Sequence, residues 1–426
     1  MIQREILSEI EKHLFHDKIL ILKGARQTGK TTIMKMLQKK IEETGSMTAF
    51  FLADNLSQQD IFSTPQTLID YLRITYNFPK AFSQKPLFLF IDEFQYIKNA
   101  GLFLKNLFDQ YSSELKIIVS GSSSLEITKN TEFLTGRHFS FLIDRISFSE
   151  FFYYKKPEMR QNNFLLSDWK EIETYNNVLQ KELQQSFLEY IRFGAYPAVI
   201  KQKTLENKKL ELSTLLNTYL EKDIITFLRI ENIRVFKNLI KIFADQVGSL
   251  LNIRRIASTL GSSQETINKY INILEGTYVC TRLKPFFTNT AKSLRRMPKI
   301  FMNDVGIINI TNNDIDNFND KINYGDIVEN FIYLELFRKH QDHLFFYRTA
   351  AGSEIDFIIE KKEISLIEVK YRNTSPKNFL AFSNFKNTVL NKKINKKIII
   401  TKNDLKVVDD VYYIPAYLFP FIDCDF

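Results

Sequence analysis

The 426 residues of the chain predict an α/β protein of several domains, with a parallel sheet near the N-terminus and an α+β domain near the C-terminus. Three stretches support this prediction. An apolar run at 19–22 precedes a Gly-Lys-Thr loop, an apolar run at 87–91 ends in two carboxylates, and strand-like segments within 354–370 carry acidic and basic side chains. With 44% hydrophobic and 25% charged residues, the composition is typical of a globular protein.

The first stretch predicts a phosphate-binding loop with the pattern G-x-x-x-x-G-K-T, between the strand-like 19–22 and a helix-like segment at 33–41. Backbone N–H groups and the positive end of the helix would hold a polyphosphate there. Lys30 is expected to neutralise the β- and γ-phosphates of ATP, and Thr31 to bind Mg²⁺. A purely structural turn is the alternative. The residues expected to contact ATP in this loop are Gly24, Ala25, Arg26, Gln27, Thr28, Gly29, Lys30, Thr31 and Thr32.

The second stretch predicts a strand that presents acidic groups to the nucleotide. An apolar run without alternation is typical of a parallel strand buried on both faces. Asp92 and Glu93 follow at the end where open α/β sheets place their ligands, so Asp92 is expected to hold Mg²⁺ and Glu93 to orient the attacking water. A further strand at 115–119 leads to Ser122, which would lie between the two motif strands and contact the γ-phosphate; a helix N-cap is an alternative role for this serine.

Two arginines follow these motifs in a segment that contains few other cations. Arg137, and after it Arg145, are candidates for stabilising the charge of the transition state, from the same or a neighbouring subunit. Exposed arginines without a catalytic role are common.

Together these motifs resemble the bacterial and archaeal AAA-type ATPases, which are P-loop NTPases with a C-terminal domain of unknown function, DUF4143. The resemblance covers nearly the whole chain and implies ATP binding, ATP hydrolysis and a link to nucleic acid. One departure is Asp144-Arg145-Ile146, where the family more often has Pro-Leu, and it concerns the local loop and not the nucleotide chemistry. The stretches that carry the resemblance are residues 24–32, 91–93, 120–124, 136–137, 146–152, 192–197 and 219–224.

The net charge of +9 is concentrated in one part of the chain. Residues 201–300 contain 18 Lys/Arg against 8 Asp/Glu, so the remainder is close to neutral. A local excess of this size is typical of a surface that binds a polyanion, because counterion release gives affinity independent of sequence. The alternative is a well-solvated surface.

The basic region also predicts a helix-turn-helix. Residues 238–249, 253–260 and 264–274 have helical patterns, and Ser262 with Glu265 has the spacing of a capping box for the third helix.

A strand-like segment at 278–283 would form the wing of a winged helix-turn-helix. DNA is therefore the expected partner of residues 236–300. Winged helices also serve as protein-docking or lid domains, and this alternative stays open. The side chains expected to face a DNA groove are Gln264, Thr266, Asn268 and Lys269, and those expected to extend the cationic surface are Lys292, Arg295, Arg296 and Lys299.

The third stretch predicts a second site near the C-terminus. Period-two geometry places Glu368 and Lys370 on one face of a strand, and a hairpin would bring Asp356 beside them. This arrangement resembles the D…E-x-K core of restriction-endonuclease-like nucleases, with Ile355 where that superfamily often has Pro. The resemblance implies that Asp356, Glu368 and Glu329 bind a metal ion and that Lys370 positions or activates water.

The sequence divides into four predicted domains. These are an AAA-type P-loop domain at 1–150, a helical connector at 151–235, a winged helix-turn-helix at 236–300 and a nuclease-like α+β domain at 301–426. The DUF4143 region is expected at roughly 190–375.

Cysteine usage and hydropathy bear on the compartment. Cys280 and Cys424 match neither a zinc pattern nor a disulfide framework, and the longest uncharged run, 411–422, is too short to span a bilayer. We therefore expect a cytoplasmic protein that does not bind membranes, with homo-oligomers and protein partners left open. The predicted function is that of a Mg²⁺-dependent ATPase acting on DNA, with metal-dependent nuclease chemistry in the last domain. The alternative is a nucleotide-controlled switch or scaffold whose nuclease-like domain is inactive.

Overall fold

A computed structural model describes residues 2–78, 86–122, 134–160, 163–219, 230–286, 297–318, 324–349, 353–371, 382, 385, 393–424 and 426. The chain forms two compact units. The first contains residues 3–145 and 276–278, and the second contains the remainder. Among the described residues, no helix has the length and apolar character needed to cross a bilayer.

The first unit contains a five-stranded parallel sheet. Its strands are β1 (Ile19–Lys23), β2 (Thr48–Leu52), β3 (Leu87–Asp92), β4 (Leu115–Gly121) and β5 (His138–Leu142). Its helices are α1 (Ile6–Glu11), α2 (Lys30–Glu43), α3 (Pro65–Tyr76) and α4 (Ala100–Tyr111). The strand order is β2-β3-β4-β1-β5. Because β4 lies between β1 and β3, the predicted placement of its end between the two motif strands is confirmed.

Uninterrupted apolar strands form this sheet because both of its faces are covered. Alternate residues of one strand enter two separate cores: Leu89 packs in one cluster and Phe88 in the other. All six residues of β3 are buried, which is the environment that an apolar run without alternation requires.

The second unit begins with helices and a short hairpin. Its helices are α5 (Phe148–Lys155), α6 (Trp169–Phe193), α7 (Pro197–Ile200), α8 (Leu205–Thr218), α9 (Ile233–Asp245), α10 (Ile253–Leu260), α11 (Gln264–Gly276), α12 (Val305–Thr311) and α13 (Gly325–His340). Strands β7 (Cys280–Leu283) and β8 (Lys299–Met302) pair antiparallel. Both cysteines of the chain are buried and free.

The three helices of the predicted helix-turn-helix are present, with two differences at their starts. Helix α9 begins five residues before the predicted position, because the Asn232 side chain accepts the Val235 N–H at 3.1 Å and caps it. The cap of α11 was assigned to the wrong residue. Ser263, not Ser262, accepts the Thr266 N–H at 3.0 Å. The turn passes through Gly261, whose φ of +60° favours glycine.

A six-stranded mixed sheet completes the second unit. Its strands are β9 (Leu344–Arg348), β10 (Glu354–Glu360), β11 (Ile364–Lys370), β12 (Ile394–Thr401), β13 (Lys406–Val408) and β14 (Val411–Pro415), in the order β13-β14-β12-β11-β10-β9. A separate parallel pair joins β6 (Phe164–Leu165) to β15 (Ile422–Asp423). Strands β10 and β11 are antiparallel, with Phe357 opposite Ile367, so the predicted hairpin between Asp356 and Glu368 is present.

Candidate functional site

The phosphate-binding loop connects β1 to α2. Gly29, with φ of +97°, precedes α2, so the free N–H groups of the helix open onto the loop. The Lys30 side chain is buried, and its ammonium group donates to the carbonyl oxygens of Gly24 at 3.1 Å and Ala25 at 2.8 Å. Gln27 is exposed at the loop tip. The loop is therefore closed by its own lysine.

The predicted metal ligands of this unit lie together. Thr31 Oγ1 donates to Asp92 Oδ2 at 2.5 Å, although 61 residues separate the two in sequence. The other oxygen of Asp92 accepts from the Ser120 hydroxyl on β4 and from the Glu93 N–H at 3.1 Å. A hydroxyl and a carboxylate side by side are the oxygen ligands that Mg²⁺ takes in nucleotide sites, so Thr31 and Asp92 fit this ion.

Glu93 is held beside Asp92 by two polar side chains. The Ser122 hydroxyl donates to Glu93 Oε2 at 3.1 Å, and the Gln95 amide donates to the same oxygen. Gln95 also donates to Ser122 at 3.1 Å, which closes a three-membered network. Glu93 has φ of +53°, a conformation that costs a non-glycine residue energy and is concentrated at functional sites. The predicted catalytic carboxylate is thus fixed in position.

Three residues that contact this site were not predicted from the sequence. Ser120 and Gln95 flank predicted residues, but only the register of β3 and β4 shows which carboxylate each contacts. Arg4 lies near the N-terminus, and its guanidinium donates to the carbonyl oxygens of Thr28 at 3.0 Å and Asp144 at 2.6 Å. No motif marks this arginine, because it acts through backbone atoms.

The two predicted arginines have different surroundings. Arg137 precedes β5 at the amino edge of the sheet, and it forms an ion pair with Asp109 at 2.7 Å. The loop follows the opposite edge, since Lys23 pairs with Leu142 at the far end of β5. A role for Arg137 in catalysis therefore requires a second subunit. Arg145 is buried, and its guanidinium donates to the Tyr278 carbonyl at 2.7 Å.

The other loop residues expected to contact ATP have contacts within the first unit or face solvent. Thr28 is buried, and its hydroxyl donates to the Ala25 carbonyl at 3.0 Å. Arg26 donates to the Tyr96 hydroxyl at 3.4 Å. Thr32 is exposed on the first turn of α2.

The predicted C-terminal residues also come together. Lys370 Nζ lies 2.5 Å from Glu368 Oε1, and the Asp356 N–H donates to Glu368 Oε2 at 3.2 Å. The Val369 N–H donates to Asp356 Oδ2 at 2.8 Å. The contacts of Asp356 follow from the register of β10 against β11, whereas Lys370 and Glu368 meet within β11 because they lie on the same face of that strand.

Lys299 was predicted to extend an exposed cationic surface, and that prediction is wrong. Only 3% of Lys299 is exposed, because β8 directs it among acidic side chains of the last domain. Its Nζ lies 2.9 Å from Glu329, 2.6 Å from Glu354 and 3.7 Å from Asp356. We call Glu329, Glu354, Asp356 and Glu368 the carboxylate cluster. Lys292, Arg295 and Arg296, predicted for the same cationic surface, lie outside the described residues.

Burial and mutual repulsion shift the pKa values of this cluster. Burial and the nearby Asp356 raise the pKa of Glu329 to about 8 and that of Glu368 to about 7. Burial alone would lower the pKa of Lys299, but the attraction of Glu329, Asp356 and Glu354 raises it. Lys299 is therefore charged at neutral pH. In the described part of the chain, no group of three His, Cys, Asp or Glu side chains is arranged to hold a metal ion, so the metal role of Glu329, Asp356 and Glu368 stays a prediction.

The three helices of the predicted helix-turn-helix, α9, α10 and α11, all expose cations. Gln264 and Lys269 of α11 are exposed, and Thr266 and Asn268 are partly exposed. Lys269 lies 3.7 Å from the Glu231 carboxylate, a distance that leaves it loosely paired. The exposed cations are Arg234, Lys237 and Lys241 on α9, Arg254 and Arg255 on α10, and Lys269 on α11.

Comparison with protein families identifies three regions of the chain. Residues 16–152 match an AAA domain. Residues 184–317 match a domain of unknown function, DUF8612, and residues 324–419 match another, DUF4143. The match to DUF4143 therefore begins later than the roughly 190 expected. The prediction of an AAA domain followed by DUF4143 is confirmed.

Individual proteins similar to this chain include an uncharacterized protein of Methanocaldococcus jannaschii, 27% identical and covering 96% of this chain and 87% of its own. An uncharacterized protein of Haemophilus influenzae is 24% identical and covers 87% of each. Among solved structures, AMPPCP-bound DnaA from Aquifex aeolicus has a TM-score of 0.27 at 15% identity, covering 63% of this chain and 86% of its own. The Pif1 helicase from Candida albicans has a TM-score of 0.26 at 11% identity, covering 35% and 41%.

Proposed function

This chain carries an AAA domain followed by a DUF4143 domain, and from that premise we propose that it is a Mg²⁺-dependent ATPase that binds or acts on DNA. The observation that carries the ATPase proposal is the bond between Thr31 and Asp92 at 2.5 Å, which joins the end of the phosphate loop to the acidic end of β3. The Lys30 ammonium group, which belongs to the same loop, donates to the Gly24 and Ala25 carbonyl oxygens.

Each side chain of the site has a role in this proposal. Lys30 exchanges its two carbonyl acceptors for oxygens of the β- and γ-phosphates when ATP enters. Thr31 and Asp92 would hold Mg²⁺, which when bound neutralises charge on the phosphates. Glu93 orients the attacking water, and Ser122 and Gln95 fix the direction in which its carboxylate points.

Nucleotide titration and steady-state hydrolysis test this part. The intact chain should bind ATP and hydrolyse it only with Mg²⁺. Lys30→Ala should weaken binding at least tenfold, since the charge that faces the phosphates is lost. Lys35→Ala, which removes an exposed lysine of the same helix, is the matched control and should behave like the parent. No measurable nucleotide affinity in the parent, or equal affinity after Lys30→Ala, refutes the proposal.

DNA binding is proposed for residues 236–300. It is supported by the exposed cations of α9, α10 and α11 and by a helix with short polar side chains at its start. A fluorescent duplex titrated at several salt concentrations tests it. Affinity should fall steeply as salt rises, because bound counterions are released on association. Binding of a protein partner that is unchanged by nucleic acid, with no duplex binding, would favour a switch or scaffold.

The alternative, in which the nuclease-like domain is an inactive binding platform, is favoured by the position of Lys299. An ammonium group at the acidic centre disfavours a divalent ion there. Nicking of supercoiled DNA with Mg²⁺ or Mn²⁺, compared between the parent and Lys370→Ala, separates the two functions. Nicking that Lys370→Ala abolishes supports nuclease chemistry. Equal nicking by both proteins, or none with any nucleotide, removes it.

A further inference from the structure

We propose that the ammonium group of Lys299 is the resident cation of the carboxylate cluster, and that a divalent cation can bind there only when this group is removed. The proposal concerns a site apart from the phosphate loop and does not depend on ATP hydrolysis.

The first argument is that the ammonium group of Lys299 is buried among the carboxylates as part of the fold. Lys299 is almost completely buried, and its Nζ lies within 3.0 Å of two carboxylates, those of Glu329 and Glu354. A lysine at the rim of an active site would keep its charged end in water. Here the ammonium group is among the acidic side chains, and the ring of Phe346 lies 5.6 Å from it.

The second argument is that every oxygen of the two central carboxylates already faces a donor or a cation. Asp356 Oδ2 accepts the Val369 N–H, and Asp356 Oδ1 faces Lys299 at 3.7 Å. Glu368 Oε1 pairs with Lys370, and Glu368 Oε2 accepts the Asp356 N–H. A Mg²⁺ or Mn²⁺ ion takes its ligands at about 2.0 to 2.2 Å, and at this distance it would compete for these oxygens with the ammonium groups of Lys299 and Lys370.

The third argument is that Lys299 belongs to a different sheet from Glu354, Asp356 and Glu368. Lys299 opens β8, where it pairs with Leu283 of β7 and forms a bridge with Leu250. The backbone on both sides is therefore fixed, and the side chain can reach Glu329 on α13 and Glu354 on β10. Binding of a divalent ion would compete with this attachment of the hairpin, and the competition is reciprocal.

The test measures Mn²⁺ binding to the full chain without nucleotide. Isothermal titration calorimetry gives the affinity, and the paramagnetic resonance signal of free Mn²⁺ gives the number of ions bound. Only binding that Asp356→Asn abolishes is assigned to the cluster. Lys299→Met should bind one Mn²⁺ in this manner, and the parent should show no such binding at Mn²⁺ concentrations up to ten times the Kd of the variant. Lys208→Met is the matched control, because Lys208 is also buried and paired with a carboxylate, that of Glu189. It should gain no site.

Lys299→Met leaves buried acidic groups without their cation and could therefore misfold. A second variant with a smaller charge imbalance is tested beside it. Lys299→Met/Glu329→Gln removes one cation and one anion together and retains Asp356 and Glu368. Circular dichroism and ATP binding verify the fold of each variant. The proposal is overturned if the parent binds Mn²⁺ in an Asp356-dependent manner, or if neither Lys299 variant that folds gains such binding. ATP binding is measured separately, so failure here leaves the ATPase proposal unaffected.

Discussion

Replacing Gly24 by alanine probes the tightest point of the phosphate loop. A Cβ at this position would lie 2.2 Å from the carbonyl oxygen of Ile143. Contacts under 3.0 Å essentially never occur for a Cβ, so the two groups must separate by at least about 0.8 Å. Ile143 cannot retreat freely, because its N–H donates to the Lys23 carbonyl at 2.7 Å and continues the pairing of β1 with β5.

The displacement therefore falls on the loop itself. Overpacking of this kind costs roughly 1 to 3 kcal/mol, and a shift of about 1 Å at a site of positioned groups can cost on the order of a hundredfold in function. We expect Gly24→Ala to weaken ATP binding at least tenfold, as measured by titration of a fluorescent ATP analogue. Thermal unfolding in parallel reports how much stability is lost.

Gly45→Ala is the control for the loss of stability. Gly45 follows α2 with φ of +75°, and a Cβ there would meet nothing within 4 Å. Alanine at this position costs about 1 kcal/mol through backbone strain alone, and ATP affinity should stay within twofold of the parent. If Gly24→Ala binds ATP as tightly as Gly45→Ala does, the loop does not pack against Ile143 as described.

Three further predictions concern other parts of the molecule. Glu93→Gln should slow steady-state ATP hydrolysis at least about a hundredfold while ATP affinity stays within threefold, because the carboxylate acts on water and not on binding. Arg254→Ala and Arg255→Ala should each reduce the slope of log Kd against log salt for duplex DNA by about 1, with Lys203→Ala as an exposed control. Between pH 6.5 and pH 4 the parent should lose about 1 to 2 kcal/mol of unfolding free energy that His340→Phe does not lose, as measured by urea unfolding.

The sign of the pH prediction follows from the environment of His340. Burial and the charges of Lys361 and Lys339 lower its pKa to about 4, whereas the unfolded chain titrates near 6.5. The unfolded state therefore takes up a proton in this window and the folded state does not, so stability falls as the pH falls. The full shift would correspond to about 3 kcal/mol, and partial exposure of the ring reduces it. If the parent and His340→Phe lose the same unfolding free energy between pH 6.5 and pH 4, this reasoning is wrong.

The predictions for Glu93 and for the arginines of α10 can each be contradicted by one result. If Glu93→Gln weakens ATP binding as much as hydrolysis, the carboxylate belongs to the binding groups. If the salt slope is the same for Arg254→Ala and Lys203→Ala, α10 does not contact phosphates.

Local periodicity predicted the parts of the fold that depend on neighbours in sequence. Apolar runs without alternation predicted β1 and β3, and the residues that end them lie at one edge of the sheet as expected. Alternation predicted the common face of Glu368 and Lys370. These predictions succeed because a strand buried on both faces and a strand with two different faces need different patterns.

Contacts that depend on the register between distant strands could not be predicted in the same way. The sequence places Ser122 near the site, but the hydroxyl that holds Asp92 belongs to Ser120, two residues earlier in the chain. Ser120 lies on β4 and Ser122 directly follows it, so the pattern of the strand does not decide between them. The distances decide: Ser120 contacts Asp92, and Ser122 contacts Glu93.

Lys299 shows the limit of reasoning from composition. It stands in a basic segment after Pro298, where lysines are usually solvated, and the ten residues before it contain no acidic side chain. Its partners follow 30 or more residues later, on a helix and on a strand that the hairpin meets only in the folded chain. A lysine in a cationic stretch can therefore carry an ion-pair role instead of a surface role, and only the burial of the ammonium group distinguishes the two. Because burying a charge without partners is costly, the acidic residues around Lys299 and the lysine itself stabilise the fold only as a set, and removing either side alone leaves buried charge unpaired.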